Sequence, residues 1–173
     1  MRTARVCVVP YSTAWKDDFD KIKGELKAAI GEMIVGIEHV GSTSVEGLCA
    51  KPCIDIDVVI SDYSVFSAVR CALEKIGYVH EGDLGIAGRE AFGYSEKPHL
   101  AKHHLYVCPS DSAELVRHVT FRDFLRANPE AAREYGRVKM EAATLFPNDI
   151  DEYIKYKSPC IEKLYWLCGL TDH

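Results

Sequence analysis

The seven cysteines of this 173-residue chain include no CxxC pair, so the zinc-ribbon and thioredoxin-like readings lose their usual signature. An odd cysteine count, in a chain long enough to bury a core without staples, also argues against a disulfide framework. Cys49 and Cys53 with His103 and His104 remain as a minor alternative metal set. No run approaches the roughly 20 apolar residues needed to span a bilayer. The opening stretch MRTARVCVVPYSTAW has neither the apolar core nor the small-residue cleavage site of a secretory signal. The expected setting is the cytoplasm, with no membrane involved. Basic excess is missing too: 21 Lys and Arg stand against 26 Asp and Glu, a formal charge of −5. Coating nucleic acid needs the opposite balance, so nucleic acid is not an expected partner, although a small basic pocket is compatible. Internal repeats, low-complexity tracts and linkers are absent, and one domain over 1–173 is expected.

What is present reads as a globular α+β protein. Hydrophobic residues make up 47% and charged residues 27%, the balance of a folded domain. Trp15, Phe19, Ile22, Leu26, Ile30 and Met33 follow helical spacing, with Ser12 as a candidate cap. A short strand at 37–40 stops at Gly41, and the β-branched run CIDIDVVI at 53–60 makes a second. Ser61 or Asp62 caps a helix through Val65, Phe66, Val69, Leu73 and Ile76, which Gly77 ends. Strands are expected at 78–81, 89–94 and 103–108. After Pro109 the pattern turns helical, at 113–127, 130–146 and 150–168, with Asn128-Pro129 and Asn148 or Asp149 as start signals. The fold class is thus a mixed β-sheet with flanking helices and a helical tail over 112–169, packed on the sheet.

The chemistry concentrates in 39–60, HVGSTSVEGLCAKPCIDIDVVI. Asp55 and Asp57 stand two apart on a strand and therefore share a face. Two like charges on a strand this apolar repel and must be desolvated, which folding alone disfavours. A divalent cation, Mg²⁺ or Mn²⁺, reverses the sign of that argument, because it takes hard oxygen ligands with water and phosphate completing its shell. The alternative is an edge strand with a solvated polar face. A dozen residues upstream, Gly41-Ser42 closes a strand where backbone amides and a serine hydroxyl can grip phosphate. By itself such a string is most often a capped turn; its weight comes from lying next to the aspartates.

This segment closely resembles the GrpB family, within the nucleotidyltransferase superfamily. The likeness continues through Gly88-Arg89, His103-His104-Leu105, the string FRDFLR at 121–126, Asn128-Pro129-Glu130, and Tyr135, Lys139, Tyr153 and Lys157. The resemblance implies the polymerase-β-like nucleotidyltransferase fold, with a site at Gly41, Ser42, Asp55 and Asp57. It also implies a third carboxylate on a later strand, and here HHLYV at 103–107 offers none. Tyr106 stands where the family commonly has a histidine, and His104 is left as a candidate base or ligand. Lys51, Arg89 and Arg122 are candidate phosphate partners, each with a plain solvent or ion-pair reading beside it. His118, Arg122, Asp123 and Arg126 form a charged helix face, and Lys139 and Lys157 read equally well as solvent-facing. The expectation is metal-dependent transfer of a nucleoside monophosphate from an NTP to a small-molecule acceptor. A nucleotide-binding or sensor module without turnover is the alternative, and a nucleic-acid-modifying enzyme fits the fold but not the charge.

Overall fold

The computed structural model describes residues 5–170. The helical periodicity from Trp15 to Ile30 gives α1 (Ala14–Ile30), with Met33 in a 3-10 turn beyond it. Two strands follow, β1 (Gly36–Val40) and β2 (Ile54–Ile60). Next come α2 (Phe66–Lys75), β3 (Val79–Gly82), β4 (Glu90–Gly93) and β5 (His103–Pro109). The chain ends in α3 (Ala113–Ala127), α4 (Pro129–Leu145) and α5 (Ile150–Leu167).

Helix starts differ from expectation by small, explicable amounts. Asp62 accepts a hydrogen bond from the Ser64 amide at 2.8 Å, but that cap opens a 3-10 turn, Tyr63–Val65, and α2 begins only after it. The Ser12 hydroxyl accepts from Ala14 N, while Thr13 occupies the cap position. Asn128 holds the N-cap position of α4 but makes no side-chain cap bond there: its amide donates to the Phe124 carbonyl at 2.8 Å and closes α3 instead. Asp149, not Asn148, caps α5 through the Glu152 amide. Pro159 lies inside α5, where a missing donor and a ring clash are normally disruptive. Buried Tyr153 and Leu164 hold the helix against the rest of the chain on either side of it.

The strands form one sheet in the order β1-β2-β5-β4-β3. β2 and β5 run parallel, and the remaining pairs are antiparallel. A parallel pair needs a crossover, and α2 with the β3–β4 hairpin supplies it. Both faces of β2 are covered. Ile54, Ile56, Val58 and Ile60 are at most 1% exposed and pack with Ile22, Leu26 and Ile30 of α1 and Val69 and Leu73 of α2. Each such side chain contributes about 2 kcal/mol of burial. The opposite face carries Asp55, Asp57 and Val59, and Val59 packs on Cys108 and on Leu115 of α3. Apolar residues on both faces of this strand therefore reflect two helical layers and not an edge position. The helical tail meets the sheet through a second cluster, in which Val45 and Leu48 from the turn after β1 contact Leu125, Ala132, Tyr135 and Leu164. Among the described residues, no helix is long and apolar enough to cross a membrane.

Candidate active site

Strand register sets the geometry. Asp55 lies between Val40 of β1 and His104 of β5, and Asp57 between Glu38 and Tyr106. Asp57 is fully buried. Its Oδ2 accepts from His118 Nδ1 of α3 at 2.6 Å, and its Oδ1 has no hydrogen-bond partner among the described residues. Burial works against a charge on His118, but the bond to Asp57 and the nearby carboxylates outweigh it and push the imidazole pKa up. Glu114 Oε2 lies 3.7 Å from the far nitrogen of the same ring. Asp55, about a third exposed, accepts from His104 Nδ1 at 2.9 Å. That bond, with a further one to Cys53, raises His104 to about 10. In this pairing His104 carries a proton at neutral pH, so a role as base would first require Asp55 to change partners. His103 points to the opposite face, bonded to the Tyr78 hydroxyl and the Ala101 carbonyl.

The turn after β1 closes over Asp55. Gly41 has φ +73, and a Cβ there would overlap Asp55 Oδ2. Only glycine adopts that backbone freely while leaving the carboxylate room. Ser42–Ser44 then form a single 3-10 turn. Three basic side chains hold this turn and the end of β1. Lys139 Nζ of α4 donates to Ser42 Oγ at 2.8 Å and to the Cys49 carbonyl at 2.9 Å. It is 4% exposed, and burial lowers its pKa to about 8. Arg126 donates twice to the Ser44 carbonyl. Arg122 Nη1 donates to Glu38 Oε2 at 2.6 Å and to the His39 carbonyl at 3.0 Å. His39 stacks on Phe19 and shares a hydrogen bond with Thr43 Oγ1; burial first, then Arg126, lowers it to about 4.

Two cavities meet at Ser42, Asp55 and Tyr135, which line both. The first, about 250 Å³, adds Lys51, His104, Lys139, Tyr153 and Lys157. Lys157 sits 4.6 Å over the Tyr153 ring, and burial lowers its pKa. The second, about 220 Å³, adds Gly41, Arg117, His118, Phe121, Arg122 and Tyr165. Of the residues singled out in the sequence, Gly41, Ser42, Lys51, Asp55, His104 and Arg122 line one or other of these cavities, and Asp57 lies next to Asp55 on the same strand face. Arg89 lines neither. It stacks 4.2 Å over Tyr106, with its Nε buried and unpartnered among the described residues.

Sequence reasoning underrated His118 and Lys139. His118 belonged to a charged helix face, and nothing local announces its bond to a residue 61 positions away. Lys139 carried one usable signal, its place one helical turn after Tyr135, over whose ring it sits at 4.9 Å. Hard oxygen donors and an orphaned buried carboxylate oxygen suit Mg²⁺ or Mn²⁺. Among the described residues, no group of three or more His, Cys, Asp or Glu could itself hold a metal. Asp55 and Asp57 would therefore supply part of a shell that water and ligand phosphate complete.

The mixed sheet with its paired-aspartate strand and flanking helices is the fold of polymerase-β-like nucleotidyltransferases. The GLD-2/RNP-8 complex matches with TM-score 0.59 over 92% of this chain and 61% of that one, at 12% identity. Cid1 poly(U) polymerase with MgGTP bound matches with TM-score 0.55 over 78% and 44%, at 11% identity. Within that fold, the chain belongs to the GrpB family, whose profile, described as GrpB protein, matches residues 5–166. It is 34% identical to the UPF0157 protein YqkA of Bacillus subtilis (strain 168), over 91% of this chain and 46% of YqkA, so it spans about half the length of that relative. It is 35% identical to the glutamate-rich protein GrpB of Alkalihalophilus pseudofirmus, over 92% of this chain and 93% of that protein. The crystal structure of conserved protein GrpB from Enterococcus faecalis matches with TM-score 0.74 and 34% identity, over 92% of this chain and 99% of that one.

Proposed function

We propose that this chain is a metal-dependent nucleotidyltransferase that moves a nucleoside monophosphate from an NTP to a small acceptor and releases pyrophosphate. The observation that carries this reading is Asp57: a fully buried carboxylate with one oxygen unpartnered, two residues from Asp55 on the same face. An orphaned acceptor of that kind costs about 1–3 kcal/mol, and a divalent cation bound across Asp55 and Asp57 would offset it. Mg²⁺ or Mn²⁺ held there would act as a Lewis acid on the α-phosphate. Ser42 and the amides after Gly41 would take phosphate oxygens. Lys51, Lys139 and Lys157 line the first cavity and would offset the triphosphate charge. Arg89, which stacks on Tyr106, and Arg122, which Glu38 holds, take no part in the triphosphate contact in this reading. Two mycobacterial relatives named dephospho-CoA kinase, matched over 46% and 43% of their length, lend the domain a setting of phosphate chemistry. A cytoplasmic location belongs to the same reading.

One observation favours a nucleotide-binding or sensor module without turnover. The β5 residues facing Asp55 and Asp57 are His104 and Tyr106, so that strand offers no further carboxylate. A thermal-shift titration with ATP, GTP, CTP and UTP, each with Mg²⁺ or Mn²⁺ against metal alone, tests for the cleft. A ligand at 100 times its dissociation constant adds about 2.7 kcal/mol. The expected result is a metal-dependent shift for one nucleotide that vanishes in Asp55→Ala/Asp57→Ala. Pyrophosphate release across an acceptor panel then separates enzyme from sensor, and no shift with any nucleotide rejects both.

A further inference from the structure

The cavity beyond Ser42 and Asp55 differs from its neighbour in kind. It is about 220 Å³ against about 250 Å³, so the two differ in their linings and not in size. Phe121 and Tyr165 wall it, edge to face with centroids 4.9 Å apart. Its charged lining is Arg117, His118 and Arg122 against the single carboxylate of Asp55. The other carboxylates that face this lining are already engaged, Asp57 on His118 and Asp123 on Arg122 among them. Glu38 holds Arg122 at 2.6 Å, and Glu114 faces both Arg117 and His118 at 3.7 Å. Arg122 is thereby anchored, whereas Arg117 is 41% exposed, has that one long ion pair, and sits 5.9 Å over Tyr165.

Resting on the nucleotidyl-transfer reading, we propose that this second cavity is the acceptor site and that its ligand is a small phosphomonoester, bound through Arg117, which attacks with its own phosphate oxygen. A hydroxyl acceptor would need a group to take its proton, and the lining offers no free carboxylate for that. A phosphate oxygen is already an anion. In the step itself, the acceptor oxygen bonds to the α-phosphorus as the bond from that phosphorus to the α–β bridging oxygen breaks. The electron pair leaves with pyrophosphate, no proton moves, and the product is a phosphoanhydride joining the nucleoside monophosphate to the acceptor. Ser42 and Asp55 line both cavities, so a phosphorus held there would stand between donor and acceptor, and in-line displacement needs the attacking and leaving groups on opposite sides of it.

Calorimetric titration of the full chain tests this, with the donor cavity filled by the α,β-methylene analogue of the best-binding nucleotide and Mn²⁺. The probes are ribose 5-phosphate, glycerol 3-phosphate and inorganic phosphate, against ribose and glycerol. Phosphate-bearing probes are expected to bind, the free alcohols not, and Arg117→Ala is expected to weaken the phosphates at least tenfold with nucleotide affinity within twofold. Arg117 is exposed enough for that variant to fold, and its melting curve checks this directly. Equal binding of alcohols and phosphates, no phosphate binding, or a parallel loss of nucleotide and phosphate in Arg117→Ala overturns the assignment. If the nucleotide binds and no phosphate does, the acceptor proposal alone falls. If no nucleotide binds, the nucleotidyl-transfer reading falls and takes this assignment with it.

Discussion

Lys139 shows how much a single buried cation controls here. Its amine bridges Ser42 Oγ and the Cys49 carbonyl, and burial holds its pKa near 8, below the ordinary 10.5. The folded state therefore releases this proton before the unfolded state does. Stability rises between about pH 8 and 10.5, and the penalty for the buried charge is fully present below 8. The rise is on the order of 3 kcal/mol. Lys139→Met should flatten it in chemical denaturation across that range, and should also weaken nucleotide binding at neutral pH about tenfold. Asp57 supplies the complementary case. Asp57→Asn keeps the shape and removes the charge, which relieves the unpartnered oxygen but also weakens the bond to His118, so the chain should still melt cooperatively while the metal–nucleotide shift disappears. A shift that survives in this variant would take Asp57 out of the ligand set. Asp55, Asp57, Gly41 and Ser42 were legible because strand periodicity and one turn place them together without tertiary knowledge. The bonds of His118 and Lys139 were not, because each depends on where a distant helix lies.

At the scale of elements, the Gly41 turn makes the sharpest demand on sequence. Gly41→Ala requires φ +73 of an alanine and also drives its Cβ into Asp55 Oδ2. Gly47→Ala, at φ +83 with nothing within 4 Å, carries the backbone cost alone, about 1 kcal/mol. Denaturant unfolding should therefore show Gly41→Ala as the more destabilised, by about 1–2 kcal/mol beyond the control. Nucleotide binding should be lost in that variant only. Matching losses would mean that the approach to Asp55 does not constrain the turn. Secondary structure was largely legible, since β-branched runs mark β2 and helical spacing marks the helices, while the short β3 and β4 carry little such signal. The ends shifted where local polar groups chose other partners, as Asp62 and Asn128 did. What sequence could not provide is the pairing of β2 with β5, because parallel register is specified by layers that form only in the folded molecule. Nor does helical spacing decide burial: Leu145, Tyr156 and Leu167 are exposed, since a packed helix need not bury every apolar position.

Across the whole molecule, acidic net charge and a basic cleft coexist because the cations are gathered from far apart. Lys51 comes from the loop before β2, Lys139 from α4 and Lys157 from α5, around Asp55 on β2. The same arrangement has a kinetic consequence. The contacts that build the site span 49 positions for Asp55–His104, 61 for Asp57–His118, 82 for Arg126–Ser44 and 97 for Lys139–Ser42. Loops of that length close late, after local helices and hairpins have formed. Stopped-flow measurements on Gly41→Ala should therefore show faster unfolding with the refolding rate nearly unchanged, and a φ-value close to zero. Refolding slowed in proportion to lost stability would instead put the site in the nucleus. If the site does assemble last, it also opens first. A chain that has lost its cleft would still carry most of its sheet, and loss of ligand response would precede loss of helix signal as denaturant rises.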